Sequence, residues 1–204
     1  MSAFLVDVYD TLVSCDFGAR QIGLAKVAGV DPDRFGRELM PLLPDLDRGL
    51  CSIDEALTKA LAACGTTPRD GLFEDFRRVY TEDAGLFPDA LPFLLQSRAR
   101  GIPVALVSNC TFDTRPMLER LGVLDLVDAD VLSCELGYAK PSPEIYQAAL
   151  GRLNVPASEA VFVDDQLRYC DGAVAVGLTA VQIRRGEPAA PGVIGSLLEL
   201  LTAG

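Results

Sequence analysis

The chain has 204 residues, half of them hydrophobic, and its 29 acidic residues against 18 basic ones give a net charge of −11. That length and apolar content suffice for one domain, or one domain carrying an insert, while the charge opposes binding to nucleic acid or to an anionic membrane surface. There is no histidine, which removes Ser-His-Asp and Cys-His nucleophiles, imidazole zinc sites and imidazole proton transfer.

Along the chain, Phe4-Leu5-Val6 predicts a buried strand over about 3–7 that ends in the carboxylate of Asp7. The stretch 14–86 then has helical rather than strand periodicity. Its best-marked helix starts at Ser52, with Glu55 at capping-box spacing; Ile53, Ala56, Leu57, Ala60, Leu61 and Cys64 form one face, and Gly65 closes it. Further helices are expected over about 17–28, 32–42 and 70–84. Pro88 opens a return helix to about Arg100, before the stop at Gly101. Strands and helices then alternate: strand 103–108, helix 113–121, strand 129–133, helix 143–153, strand 160–163, helix 171–176, strand 178–183 and helix 192–202. Such alternation predicts an α/β fold with a doubly wound parallel sheet.

The apolar strands end in residues that carry chemistry. Asp7 is followed by Tyr9, Asp10 and Thr11; the strand at 103–108 ends in Ser108-Asn109; the strand at 160–163 ends in Asp164-Asp165. A carboxylate at a strand end is partly desolvated and needs a cation or donors, and two adjacent ones repel unless charge is offset. Each has a bland alternative as a polar turn. Lys140 lies in Gly137-Tyr138-Ala139-Lys140-Pro141-Ser142-Pro143-Glu144-Ile145-Tyr146, where Ser142 and Pro143 suit a helix start. The six cysteines form no Cys-x-x-Cys pair and no zinc-like spacing, and five lie in or beside apolar segments, so reduced buried thiols are expected. No apolar run is long enough to span a bilayer, and Met1 to Val8 lacks the form of a signal peptide. The expectation is a soluble, cytoplasmic chain that binds neither membrane nor nucleic acid.

Taken in order, these four segments resemble the motifs of the haloacid dehalogenase (HAD) superfamily of hydrolases. The resemblance implies a Rossmann-like core over 1–13 and 87–204, with a small helical cap, 14–86, inserted after the first strand. It implies Asp7 as nucleophile, Thr11 as the hydroxyl supporting its loop, Ser108 and Asn109 as phosphate-binding residues, and Lys140 as the charge between nucleophile and substrate. It also implies Mg²⁺ held by Asp7, Asp165 and the Tyr9 carbonyl, with Asp164 acting through water. The activity so implied is that of a Mg²⁺-dependent phosphatase of a small phosphorylated metabolite, through an aspartyl-phosphate. One departure stands out: superfamily phosphatases usually carry Asp two residues after the nucleophile, and this chain has Tyr9. The Asp-x-Tyr-x-Thr pattern also resembles the metal-independent 2-haloacid dehalogenases, which have small polar residues where this chain has Asp164-Asp165 and carry a substrate-binding arginine for which Arg37 is a poor match. A weakly active or non-catalytic binding module is the third reading.

Overall fold

The computed structural model describes residues 3–82, 84–186 and 190–202, with the backbone alone for 80–82. The chain opens with β1 (Ala3–Val6), a fully buried apolar strand, and the two-residue β2 (Val13–Ser14). Helices follow as α1 (Phe17–Ala28), α2 (Pro32–Leu39), α3 (Leu43–Asp47), α4 (Ile53–Ala63) and α5 (Leu72–Glu82). Then β3 (Gly85–Leu86) returns to pair antiparallel with β2, so the two ends of the helical segment meet in a two-stranded neck. Beyond it come α6 (Ala90–Ala99), β4 (Val104–Ser108), α7 (Thr114–Arg120), β5 (Ala129–Leu132) and α8 (Ser133–Leu136). The chain continues through α9 (Pro143–Leu153), β6 (Ala160–Asp164), α10 (Leu167–Ala175), β7 (Thr179–Ile183) and β8 (Val193–Ile194).

Six strands form a parallel sheet in the order β5-β4-β1-β6-β7-β8. This is the α/β, Rossmann-like arrangement expected. Alternate residues of a strand face opposite sides, and β1 shows it: Phe4 and Val6 pack with Phe93, Leu94 and Met117, whereas Ala3 and Leu5 pack with Ile145, Tyr146 and Ala173. Both faces are covered by helices, so the central strands read as unbroken apolar runs. In such sheets ligands bind beyond the carboxyl ends of the strands, at the switch in strand order. Here β1 stands between β4 and β6, with Val6 opposite both Leu106 and Val163. Asp7, Ser108 and Asp164 therefore emerge side by side.

The helical segment has its own core. Phe35 and Leu61 have no exposed surface and meet Leu24, Leu57, Leu72 and Phe76. Its ends are marked as the sequence suggests: Ser52 and Glu55 close a reciprocal capping box, and Asp16 and Asp31 accept backbone N–H groups at the starts of α1 and α2.

Several expected bounds need correction. The helix expected over 192–202 is instead β8 followed by a 3₁₀ turn, Leu197–Leu201, capped by Ser196 and Glu199; Gly192 and Gly195 deny it a helical first turn. The helix expected at 171–176 starts earlier, at Leu167, because Asp164 Oδ1 accepts the Gln166 N–H and turns the chain at once. Pro41 lacks the donor needed to continue α2, so 40–42 tighten into a 3₁₀ turn and α3 follows. Helix α5 begins two residues later than the expected 70–84, after Gly71 at φ +73°; Asp83 lies outside the described residues, as do 1–2, 187–189 and 203–204 of the expected core. Among the described residues, no helix is long and apolar enough to cross a membrane.

Candidate active site

Asp7 follows β1 directly and is buried, its N–H donating to the Val163 carbonyl at 2.9 Å. Its carboxylate is largely shielded from water. Lys140 Nζ donates to Asp7 Oδ1 at 2.5 Å and to Asp164 Oδ2 at 2.6 Å, 133 and 24 residues away in sequence. Asp164 uses its other oxygen on the Gln166 N–H at 2.8 Å, so both of its oxygens are engaged. Asp165, half-buried beside it, completes a cluster in which one oxygen from each of Asp7, Asp164 and Asp165 lies within 4.8 Å of the others.

The electrostatics follow from burial. Desolvation pushes the Asp7 pKa well up, Lys140 pulls it back, and the Asp164 and Asp165 carboxylates push it up again. Burial opposes the Lys140 charge, but Asp7 and Asp164 outweigh it and hold the ammonium above the ordinary lysine value. Asp165 is pushed up to about 6 by burial, by Asp164 and by Asp10. Three clustered carboxylates share one ammonium, and the upward push on Asp7 and Asp165 reflects that undercompensated charge, an arrangement that favours a hard divalent cation. The donor set therefore fits Mg²⁺, which takes oxygen ligands and retains waters.

Lys140 is held by its backbone as well as by its ion pairs. Asn109 Oδ1 accepts the Lys140 N–H at 2.6 Å and Asn109 Nδ2 donates to the Lys140 carbonyl at 2.9 Å and to the Tyr169 hydroxyl at 3.2 Å. The Tyr169 ring lies 4.9 Å from Lys140 Nζ, within cation–π range. Behind it, Gly172 lets α10 approach the Lys140–Pro141 turn: a Cβ there would come within 2.7 Å of Pro141 Cβ and 2.9 Å of the Tyr146 hydroxyl. The expected residues Asp7, Lys140, Asn109, Asp164 and Asp165 thus meet at one place. The Asn109 side chain, expected to bind substrate, is occupied in bracketing the Lys140 peptide.

The hydroxyls are less committed. Ser108 is fully buried, and its Oγ has only a long 3.4 Å contact to the Asn109 carbonyl. The Oγ1 atoms of Thr11 and Thr111 are buried without a hydrogen-bond partner among the described residues. Tyr9 is buried, its hydroxyl 2.8 Å from Thr114 Oγ1 and its ring edge-on to Phe17. Asp10 adopts φ +56°, and the Cys15 N–H is bonded to its carboxylate.

A cavity of about 340 Å³ opens between these strand ends and the helical segment. Its floor includes Tyr9, Asn109, Thr111 and Tyr169, and its opposite wall is largely apolar, from Phe17, Leu24, Leu39, Leu43 and Ile53, with Arg20 and Asp47 among them. Neither charged residue follows from the strand-end motifs. A signal existed for Arg20: it lies four residues before Leu24 on α1, so a charge falls on the buried stripe of that helix. Asp47 follows the buried Leu46 at the end of α3, a helix too short to show periodicity.

An α/β sheet with a carboxylate cluster around a buried lysine at its central strand ends defines a class of hydrolase site. The chain belongs to the haloacid dehalogenase-like hydrolases, whose family model matches residues 1–177. It is 33% identical over 138 residues to a phosphatase of Mycobacterium tuberculosis, covering 67% of this chain and 62% of that protein. It is 35% identical over 137 residues to (S)-2-haloacid dehalogenase 4A of Burkholderia cepacia, covering 66% of this chain and 59% of that protein. The matched stretch is thus about three fifths of each relative. A HAD family enzyme of Bacteroides thetaiotaomicron, solved with magnesium and inorganic phosphate, superposes with a TM-score of 0.76 at 20% identity, covering 94% of this chain and 98% of that one.

Proposed function

We propose that this chain is a Mg²⁺-dependent phosphatase acting on a small phosphorylated molecule through an aspartyl-phosphate at Asp7. The observation that carries the reading is the charge imbalance at the strand ends: three clustered carboxylates share one buried ammonium. Asp7, Asp165 and the Tyr9 carbonyl would hold Mg²⁺, with Asp164 joining through water; the ion would supply charge neutralisation for the phosphoryl oxygens. The magnesium and phosphate in the Bacteroides thetaiotaomicron enzyme support the assignment.

In this reading an Asp7 oxygen attacks phosphorus. Covalent attack splits one difficult displacement into two easier ones. Lys140 holds the nucleophile in place and offsets charge as it develops, its position fixed beforehand by Asn109 and Asp164. Ser108 Oγ, engaged only by a long 3.4 Å contact, offers a donor to the phosphoryl oxygens. The helical segment 14–86 serves as the cap over the core, 1–13 and 87–204, with the β2–β3 neck as its attachment. Its apolar wall suits a monoester with an apolar body better than a sugar phosphate.

Tyr9 and the apolar cavity favour one second reading, a haloacid dehalogenase, since halide leaves without a proton. One experiment separates the two. EDTA should abolish hydrolysis of p-nitrophenyl phosphate and excess Mg²⁺ should restore it. Chloride release from 2-chloropropionate that ignores EDTA would establish the dehalogenase instead.

A further inference from the structure

A phosphatase that expels an alkoxide needs a proton donor, and the groups nearest Asp7 are committed elsewhere. The Tyr9 hydroxyl is bound to Thr114 Oγ1, the Asp10 carboxyl is held in its own turn by the Cys15 N–H, Lys140 bridges Asp7 and Asp164, and Asp165 belongs to the proposed Mg²⁺ set, where a bound cation would keep it ionised. Among the described residues lining the cavity, Asp47 alone carries a carboxyl group.

Asp47 is also held in place. Leu46 beside it is buried, and Gly49 N–H and Leu50 N–H close the turn onto the Leu46 and Asp45 carbonyls. Gly49 adopts φ +65°, and a Cβ there would meet the Cys134 carbonyl oxygen at 2.0 Å and the Phe112 ring at 3.2 Å. The turn after α3 therefore lies directly against the core, fixing Asp47 opposite the strand ends rather than on a loose arm.

We propose that Asp47 is the proton donor and acceptor of the phosphatase cycle, placed across the cavity by α3 rather than on the nucleophile's own loop. This rests on the phosphatase reading above. In the first step an Asp7 oxygen bonds to phosphorus as the bond from phosphorus to the leaving oxygen breaks. The leaving oxygen keeps that electron pair, takes the Asp47 proton and departs as an alcohol. In the second step the Asp47 carboxylate takes a proton from water as the water oxygen attacks phosphorus. The aspartyl P–O bond breaks, inorganic phosphate forms, and Asp7 returns as a carboxylate with Asp47 protonated.

The surroundings of Asp47 suit that task. Burial pushes its pKa up, and the facing cations Lys140 and Arg168 pull it only part of the way back. The Cys110 thiol also lies within its field, and on its own element Asp45 and Arg48 neutralise each other in a 2.9 Å ion pair. A carboxyl that keeps its proton above the usual range is what general acid catalysis requires.

The test uses the full chain with excess Mg²⁺ and two esters, benzyl phosphate, whose alkoxide must be protonated, and p-nitrophenyl phosphate, whose phenolate leaves unaided. With enzyme in excess, so that only leaving-group release is read, Asp47→Asn should slow release of benzyl alcohol by about 10²-fold or more. It should slow release of p-nitrophenolate by clearly less, and should remove the alkaline fall of the benzyl phosphate profile for that step. Asp47→Glu should recover part of the benzyl rate, which separates proton transfer from a folding defect. Equal losses on both esters, or an unchanged benzyl rate, would overturn the proposal while leaving the phosphatase reading intact. A wild-type protein that hydrolyses neither ester would remove both.

Discussion

The two walls of the cavity are built on different physics. At the ends of β1, β4 and β6, buried polar atoms are cross-linked: Lys140 bonds two carboxylates and Asn109 brackets the Lys140 peptide. The facing wall is apolar, broken by Arg20 and Asp47, and is held together by a separate core around Phe35 and Leu61. Fixed charges set before substrate arrives suit the reacting centre, whereas an adaptable apolar surface suits the substrate body. Substitutions on the first wall should therefore remove activity through charge, and those at the apolar positions of the second should act through stability or specificity.

The largest effects fall on the charged wall. Asp7→Asn keeps the shape of the side chain but removes the proposed nucleophile, so p-nitrophenyl phosphate turnover should drop to background while the circular dichroism spectrum stays native. Near wild-type turnover would rule Asp7 out as the attacking group. Lys140→Met leaves Asp7 and Asp164 buried without their cation, and should cost about 3–5 kcal/mol in urea unfolding as well as abolishing activity. Phe35→Ala tests the other wall. It should cost a similar ~3–5 kcal/mol by emptying a fully buried site, yet the fraction still folded should retain its metal dependence. If Phe35→Ala altered the Mg²⁺ requirement, the two walls would not be separable.

Those predictions draw on elements that were unequally legible in the sequence. The sheet and the strand-end residues were readable because buried parallel strands leave continuous apolar runs, and a carboxylate that ends such a run is conspicuous. The capped helix from Ser52 was readable because cap and stripe agree. The two-residue strands β2 and β3 and the short α3 and α8 carry too few residues for any period to emerge. The tertiary commitments of single side chains were not readable at all. Asn109 looks like a substrate donor until its amide is seen wrapped around the Lys140 peptide, and nothing in the sequence ties the Tyr9 hydroxyl to Thr114.

Smaller effects sharpen the contrast. Tyr9→Phe should cost about 0.5–1.5 kcal/mol for the lost hydrogen bond. Because the Tyr9 carbonyl remains, turnover should follow the wild type. A large loss of turnover would give the phenol a chemical part. The smallest effect concerns stability against pH. The Asp47 pKa is raised by burial, so the unfolded chain gives up that proton more readily than the folded one, and stability falls as pH rises from the unfolded value through the raised one. Asp47→Asn should accordingly have a slightly higher Tm than the wild type at neutral pH and the same Tm in acid, below the unfolded carboxyl range. A lower Tm at neutral pH would show that the charged form is stabilised in the fold.

The central claim, covalent phosphoryl transfer to Asp7, is tested most directly by the stereochemical course at phosphorus. A p-nitrophenyl phosphorothioate made chiral at phosphorus with one heavy oxygen isotope is hydrolysed in water carrying another, and the configuration of the released thiophosphate is determined. Two in-line displacements, the first by Asp7 and the second by water, retain configuration, which is the predicted result. Inversion would show water attacking the substrate phosphorus directly, without a covalent intermediate, and would contradict the account.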